Sequence, residues 1–177
     1  MTLSIPIALI GYRGTGKTTV ARVLAARLGC DWVDADVEVE LRAGKSISAI
    51  FADSGEEAFR DLESEVVAEL CQREATILAL GGGAILREAN RQAIAACPQV
   101  VWLQASAEVI AERILGDATT AQRRPNLTNR GGRQEIEQLL AAREPFYRAC
   151  ATLEVDTENK QPAEIADQIV SKLSSLP

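Results

Sequence analysis

No histidine occurs anywhere in the 177 residues, which excludes imidazole as general base, nucleophile or metal ligand. Any chemistry must therefore come from carboxylates, lysine, arginine, hydroxyls and backbone groups. Positive charge is also in short supply. Nineteen basic against 25 acidic side chains leave a net charge of −6, which repels nucleic-acid backbones unless the cations are gathered in one place, so polynucleotide is not an expected partner. Cysteine is sparse and scattered: Cys30, Cys71, Cys97 and Cys150 form no C-x-x-C pair, which argues against a zinc site or a disulfide framework. They read as small hydrophobes in a reducing cytoplasm. Apolar runs long enough to span a membrane are missing. The apolar start from Leu3 to Ile10 lacks a basic leader and runs into a glycine loop rather than a cleavage site, so it reads as a buried first strand.

What remains is an ordinary soluble composition, 47% hydrophobic and 25% charged, in a chain long enough for one domain with a real core. Short apolar runs recur at Ile5 to Ile10, Trp32 to Val33, Thr76 to Leu80, Val100 to Leu103 and Leu153 to Val155, with helical patterns between them. This alternation predicts an α/β fold of three layers, a parallel sheet with helices on both faces. Ser54 and Glu57 have capping-box spacing, and Pro162 suits the first turn of a helix carrying Ile165, Ile169 and Leu173. From Gly116 to Gly132 the apolar periodicity stops, and Arg123, Arg124 and Arg130 stand against the single acid Asp117. Loops of this length are either functional lids or disordered segments, and the charge favours a lid.

Gly11-Tyr12-Arg13-Gly14-Thr15-Gly16-Lys17-Thr18 matches G-x-x-x-x-G-K-[ST] at every fixed position, between a predicted strand and the helix begun by Thr19. Such a loop curls successive N–H groups around phosphate oxygens at a helix N-terminus. Lys17 would stand beside the β- and γ-phosphates and the Thr18 hydroxyl would ligate Mg²⁺, so the motif predicts bound ATP and magnesium.

An acceptor wall is also legible. Asp34 and Asp36 flank Ala35 at the end of the second strand, where alternate residues point the same way. Asp34 could hold a magnesium-bound water, while Asp36 could accept a hydrogen bond from an attacking hydroxyl or cap the following helix. Gly81, Gly82 and Gly83 end the third strand and permit close approach of a ligand to the backbone. Ile136, Leu139, Leu140 and Arg143 follow the i, i+3, i+4, i+7 spacing, which places a guanidinium on an inward stripe. A charge there needs a partner. Arg143, like Arg60 beside Phe59 and one turn before Glu63, could reach a structural carboxylate or join a bidentate clamp on a substrate carboxylate.

Taken together, the phosphate loop, Asp34-Ala35-Asp36, Phe59-Arg60, Gly81-Gly82-Gly83, Arg124-Pro125, Arg143 before Pro145-Phe146-Tyr147, and Val155-Asp156-Thr157 resemble the shikimate kinase family of small P-loop kinases over nearly the whole chain. The resemblance implies one domain spanning residues 1–177, built on a five-stranded parallel sheet, with a mobile lid at about 116–132 and a substrate-binding region at about 36–63. It implies transfer of the γ-phosphoryl of ATP to the 3-hydroxyl of shikimate by a cytoplasmic enzyme with a small-molecule partner, in which nothing demands more than a monomer. On the same basis ATP contacts fall to Gly11, Gly14, Thr15, Gly16, Lys17, Thr18 and Thr19, with Arg124 closing over the phosphates. Thr18 and Asp34 would manage Mg²⁺, the latter through water. Asp36, Arg60, Gly81, Gly82, Gly83 and Arg143 would bind shikimate, with Lys17, Asp36 and Arg124 as the catalytic set. The lid reads Arg-Pro-Asn-Leu where Arg-Pro-Leu-Leu is commoner, and the stretch from Arg113 to Arg124 is longer than in compact members. Arg113, Asn159 and Lys160 lie in the regions that should flank the base. Two other readings remain open: a gluconate or nucleoside monophosphate kinase, and a nucleotide-binding module without catalysis.

Overall fold

A computed structural model describes residues 5–116 and 132–174. The lid expectation and Arg124 fall outside the described residues, apart from the flanking Gly116 and Gly132. Five strands run β1 Ile7–Ile10, β2 Asp31–Asp34, β3 Thr76–Ala79, β4 Gln99–Gln104 and β5 Leu153–Asp156. They form one sheet in the order β2-β3-β1-β4-β5, and every pairing is parallel. Helices fill the connections: α1 Lys17–Leu28, α2 Ala35–Ala43, α3 Ile47–Leu70, α4 Glu88–Ala95, α5 Ala107–Gly116, α6 Arg133–Cys150 and α7 Pro162–Ser174.

The period-two pleat explains the layers. Ala8 and Ile10 of β1, with Leu78, Val100 and Trp102, pack into a core shared with α2, α3, α4 and α6. Ile7 and Leu9, with Ile77, Ala79, Val101 and Leu103, face the opposite core under α1 and α7. Both faces of the central strands are thus buried, which is why β1 reads as an unbroken apolar run. A smaller cluster joins Tyr12 of the glycine loop to Ile110 of α5 and Ile136 of α6.

Two local expectations change. The period-two argument for Asp34 and Asp36 fails because β2 stops at Asp34 and α2 starts at Ala35. Asp36 lies in the first helical turn, and the cap is Asp34, whose side chain accepts from the Asp36 N–H at 2.9 Å. The boundary near Ser54 does exist, since α3 breaks at Gly55, where φ is 80° and ψ 178°. The Glu57 carboxylate accepts from Arg87 at 2.8 Å rather than turning back on a cap. Pro162 does open α7, and Ile165, Ile169 and Leu173 are its buried face. All four cysteines are free thiols. No helix among the described residues is long and apolar enough to cross a membrane.

Candidate active site

The carboxyl ends of β1, β2 and β3 are adjacent in the sheet, and three of the sequence-predicted groups leave from them. From β1 the chain enters the glycine loop. Gly11 has φ of 141° and Gly14 of 82°, and Gly16, at 89°, caps α1. Glycine is required at Gly11 for two reasons, since a Cβ there would lie 2.4 Å from the Leu103 carbonyl oxygen and the conformation is barred to side chains. The N-terminus of α1 has no side-chain cap, so its first-turn N–H groups and partial positive charge face the loop, as an anion site needs. Lys17 is buried, and its ammonium donates to the carbonyls of Gly11 at 2.8 Å and Tyr12 at 2.9 Å. Thr15 is tied inward through its hydroxyl to the Tyr12 carbonyl at 2.7 Å. Thr19 follows on the first turn of α1.

The Thr18 hydroxyl donates to Asp34 Oδ2 at 2.6 Å. The remaining Asp34 oxygen is held by the Asp36 N–H, so a single carboxylate orients both the loop hydroxyl and the start of α2. Hydroxyl and carboxylate oxygens without sulfur or imidazole form a donor set that fits a hard cation such as Mg²⁺. Asp36 is half-buried beside this pair.

From β3 the chain enters Gly81, Gly82 and Gly83, followed by a 3₁₀ turn at Ala84–Leu86. These glycines serve the neighbouring protein groups. A Cβ on Gly82 would stand 2.9 Å from the backbone nitrogen of Arg13, and one on Gly83 would stand 2.6 Å from Arg60 Nη1. The glycine run thus lies between the phosphate loop and a guanidinium. Arg60 is buried on α3, where Nη1 donates to Glu63 at 2.6 Å and Nη2 to Glu56 at 3.2 Å. Arg60 thus reaches structural carboxylates, and its guanidinium also lies against the glycine run.

Arg143 is buried as well, yet differs in its partners. Its Nη1 donates to the Gly82 carbonyl at a long 3.4 Å, and its guanidinium lies 5.3 Å from the centre of the Tyr12 ring. Among the described residues no carboxylate pairs with it. A buried cation without a counter-charge favours an anion brought by a ligand. Arg60 and Arg143 therefore flank Gly82 and Gly83 from two different helices, across from the glycine loop.

Sequence reasoning gave no role to Glu63 and Tyr147, and placed Arg113 only in a region that should flank the base. Glu63, 1% exposed, neutralises and aims Arg60; the signal was an acid three residues on from an arginine in an apolar stretch. Tyr147 lies one turn beyond Arg143 and reaches the Gly82 carbonyl. Arg113 donates to the Gly14 carbonyl at 3.3 Å and to the Thr157 hydroxyl and carbonyl at 3.0 and 2.8 Å, bracing the glycine loop against the end of β5. Lys160 turns to Asp156 instead, at 2.8 Å from its carbonyl. Cys150 and Cys30 are unsuited to nucleophilic work, because burial pushes both thiols above their ordinary range.

A parallel sheet whose first strand opens into this loop, with a lysine and a hydroxyl–carboxylate pair at its mouth, defines a P-loop kinase. The family model described as shikimate kinase matches residues 13–174. A shikimate kinase of Rhodopirellula baltica is 46% identical over 94% of this chain and 89% of its own, and one of Thermobifida fusca is 46% identical over 96% of each. The shikimate kinase of Acinetobacter baumannii, solved in complex with shikimate, superposes with a TM-score of 0.90 at 35% identity, covering 97% of this chain and 94% of that one. The chain belongs to the shikimate kinase family.

Proposed function

We propose that the glycine loop and the Arg60–Arg143 wall hold the two substrates of one reaction, transfer of the γ-phosphoryl of ATP to the 3-hydroxyl of shikimate. The products are shikimate 3-phosphate and ADP, in a step of chorismate and aromatic amino acid biosynthesis. The observation that carries the reading is Arg143, a buried guanidinium lacking a carboxylate among the described residues and set beside Arg60 at the glycine run that abuts the phosphate loop. A nucleotide-binding module has no use for such a wall. The carboxylate of an acid-bearing alcohol supplies its missing charge.

Gly11, Gly14, Thr15, Gly16 and Thr19 shape the cradle for the phosphates through backbone N–H groups, and Lys17 carries charge to the β- and γ-phosphates. Thr18, with Asp34 through water, would hold Mg²⁺, which would neutralise charge on the phosphate oxygens. Arg60 and Arg143 bind the shikimate carboxylate, and the backbone of Gly81, Gly82 and Gly83 lies along the ring. Asp36 accepts a hydrogen bond from the attacking hydroxyl, aligns it and takes its proton late, as the new O–P bond forms and the bond to the ADP oxygen breaks. Phosphoryl transfer has a loose transition state, so alignment and charge do most of the work. A chain without histidine is therefore not handicapped. Arg124, in a lid at about 116–132 of a single domain, closes over the phosphates and excludes water. The enzyme works as a cytoplasmic monomer without nucleic-acid or membrane partners.

Coupled ADP release with ATP and Mg²⁺ tests this reading, comparing shikimate with gluconate, nucleoside monophosphates and no acceptor. Turnover confined to shikimate is expected. Preference for another acceptor, or equal ADP release without one, overturns it.

A further inference from the structure

Arg143 and Tyr147 sit one turn apart on α6, and both donate to the same atom, the Gly82 carbonyl oxygen. Their bonds are unequal. The tyrosine hydroxyl is at 2.6 Å and the guanidinium at 3.4 Å, so the first is a strong bond and the second marginal. Tyr147 is 1% exposed, and its ring stacks on Trp102 with centroids 5.6 Å apart. Its hydroxyl position is therefore set by packing on β4, independently of any ligand.

A buried carbonyl must be satisfied. With the tyrosine hydroxyl in place, the guanidinium is not needed for that task. Without it, Arg143 is the other donor already at that oxygen, and the carbonyl would draw it into a short hydrogen bond, away from a substrate anion. We infer that Tyr147 is a positioning residue which occupies the Gly82 carbonyl so that the Arg143 guanidinium stays available to the acceptor's carboxylate. The inference rests on the clamp reading of Arg143 given above.

Tyr147→Phe is the test, since phenylalanine keeps the ring and its stack on Trp102 and removes only the hydroxyl. Steady-state kinetics would be measured for this variant, for Arg143→Ala and for the double variant, with melting temperatures alongside. The expected result is a shikimate KM raised roughly 5- to 20-fold in Tyr147→Phe, the size of one hydrogen bond diverted, with KM for ATP unchanged. The double variant should be no worse than Arg143→Ala alone, because the hydroxyl acts through that arginine. An acceptor with a hydroxymethyl group in place of the carboxylate should show no penalty from Tyr147→Phe. A lowered melting temperature with unchanged shikimate KM, or effects of the two substitutions that multiply, would overturn the inference alone. Unchanged shikimate KM in Arg143→Ala would overturn the clamp itself, and this inference with it.

Discussion

Gly83→Ala offers a clean perturbation of the acceptor wall. The backbone at Gly83 has φ of −104° and ψ of 0°, a negative-φ conformation near the bridge region that alanine can also adopt. The added methyl meets nothing closer than the Arg60 guanidinium, at 2.6 Å from Nη1, 2.8 Å from Nη2 and 3.1 Å from Cζ. Relaxed contact between such atoms needs about 3.5 Å, so the guanidinium must withdraw by roughly 0.9 Å. Nη1 is fixed at 2.6 Å from Glu63, and withdrawal misaligns the fork for a carboxylate on its other side. A hydrogen bond to a charged group contributes about 1.5–3 kcal/mol. Losing most of one bond predicts roughly 10- to 30-fold weaker shikimate binding, since each 1.4 kcal/mol is tenfold. Calorimetric titration with shikimate reads the affinity, and the coupled assay reads KM for ATP, which should not move. In an Arg60→Ala background the methyl has nothing to displace, so Gly83→Ala should add no further loss. Wild-type shikimate affinity in Gly83→Ala, or an undiminished effect without Arg60, would refute the placement of Arg60 on the acceptor.

Asp34→Asn keeps an oxygen for the Asp36 N–H cap while removing the charge facing Thr18; half-saturating Mg²⁺ should rise about 10- to 100-fold, and an unchanged magnesium requirement in turnover assays would argue against a metal role. Gly11→Ala places a Cβ 2.4 Å from the Leu103 carbonyl at φ of 141°; a stability loss of at least about 3 kcal/mol in denaturant titration is expected, with nucleotide binding abolished, and wild-type stability would contradict the loop geometry. Asp156 is held below the usual carboxylate range by the Glu158 N–H and by Lys160. A depressed folded-state pKa gives stability that is present above the unfolded value, about 4, and lost as pH falls through the folded one. The gap in denaturant midpoint between wild type and Asp156→Asn should therefore shrink between pH 6 and pH 3, and a gap that widens would reverse the sign.

The sheet was readable because burial on both faces leaves a simple mark. Ile77 to Leu80 and Val100 to Leu103 are apolar without interruption, and they make up most of the inner strands β3 and β4. Asp36 was misplaced for a specific reason. Period-two reasoning holds only while the strand lasts, and two residues from its end the sequence carries no sign that the helix has begun. Asp34 as cap fixes the first turn of α2 and with it the position of Asp36. The roles of Tyr147 and Arg113 depend on contacts between distant elements, whereas Glu63 meets Arg60 within one helix, at a spacing the sequence did show. Arg113 meets Gly14 and Thr157 across separations of 99 and 44 residues, which periodicity does not encode.

The two arginines looked alike in sequence, each a cation near an apolar stripe, and the structure separates them by charge balance. Arg60 is neutralised by the buried Glu63, and Glu56 adds a partner that is itself half exposed and so screened by water. Arg143 has no such acid among the described residues, only a carbonyl and an aromatic face. The buried charges of this wall, two guanidiniums and one carboxylate, therefore sum to a single positive charge. If the proposed clamp holds, one substrate carboxylate would bring that sum to zero. Desolvating the ligand's anion would then create no uncompensated charge, whereas a neutral acceptor would leave Arg143 buried without a counterion. On that reading, selection for an acid would come from the protein's own imbalance as much as from fit, and it would need both arginines, one aimed by Glu63 and the other left without an acid among the described residues.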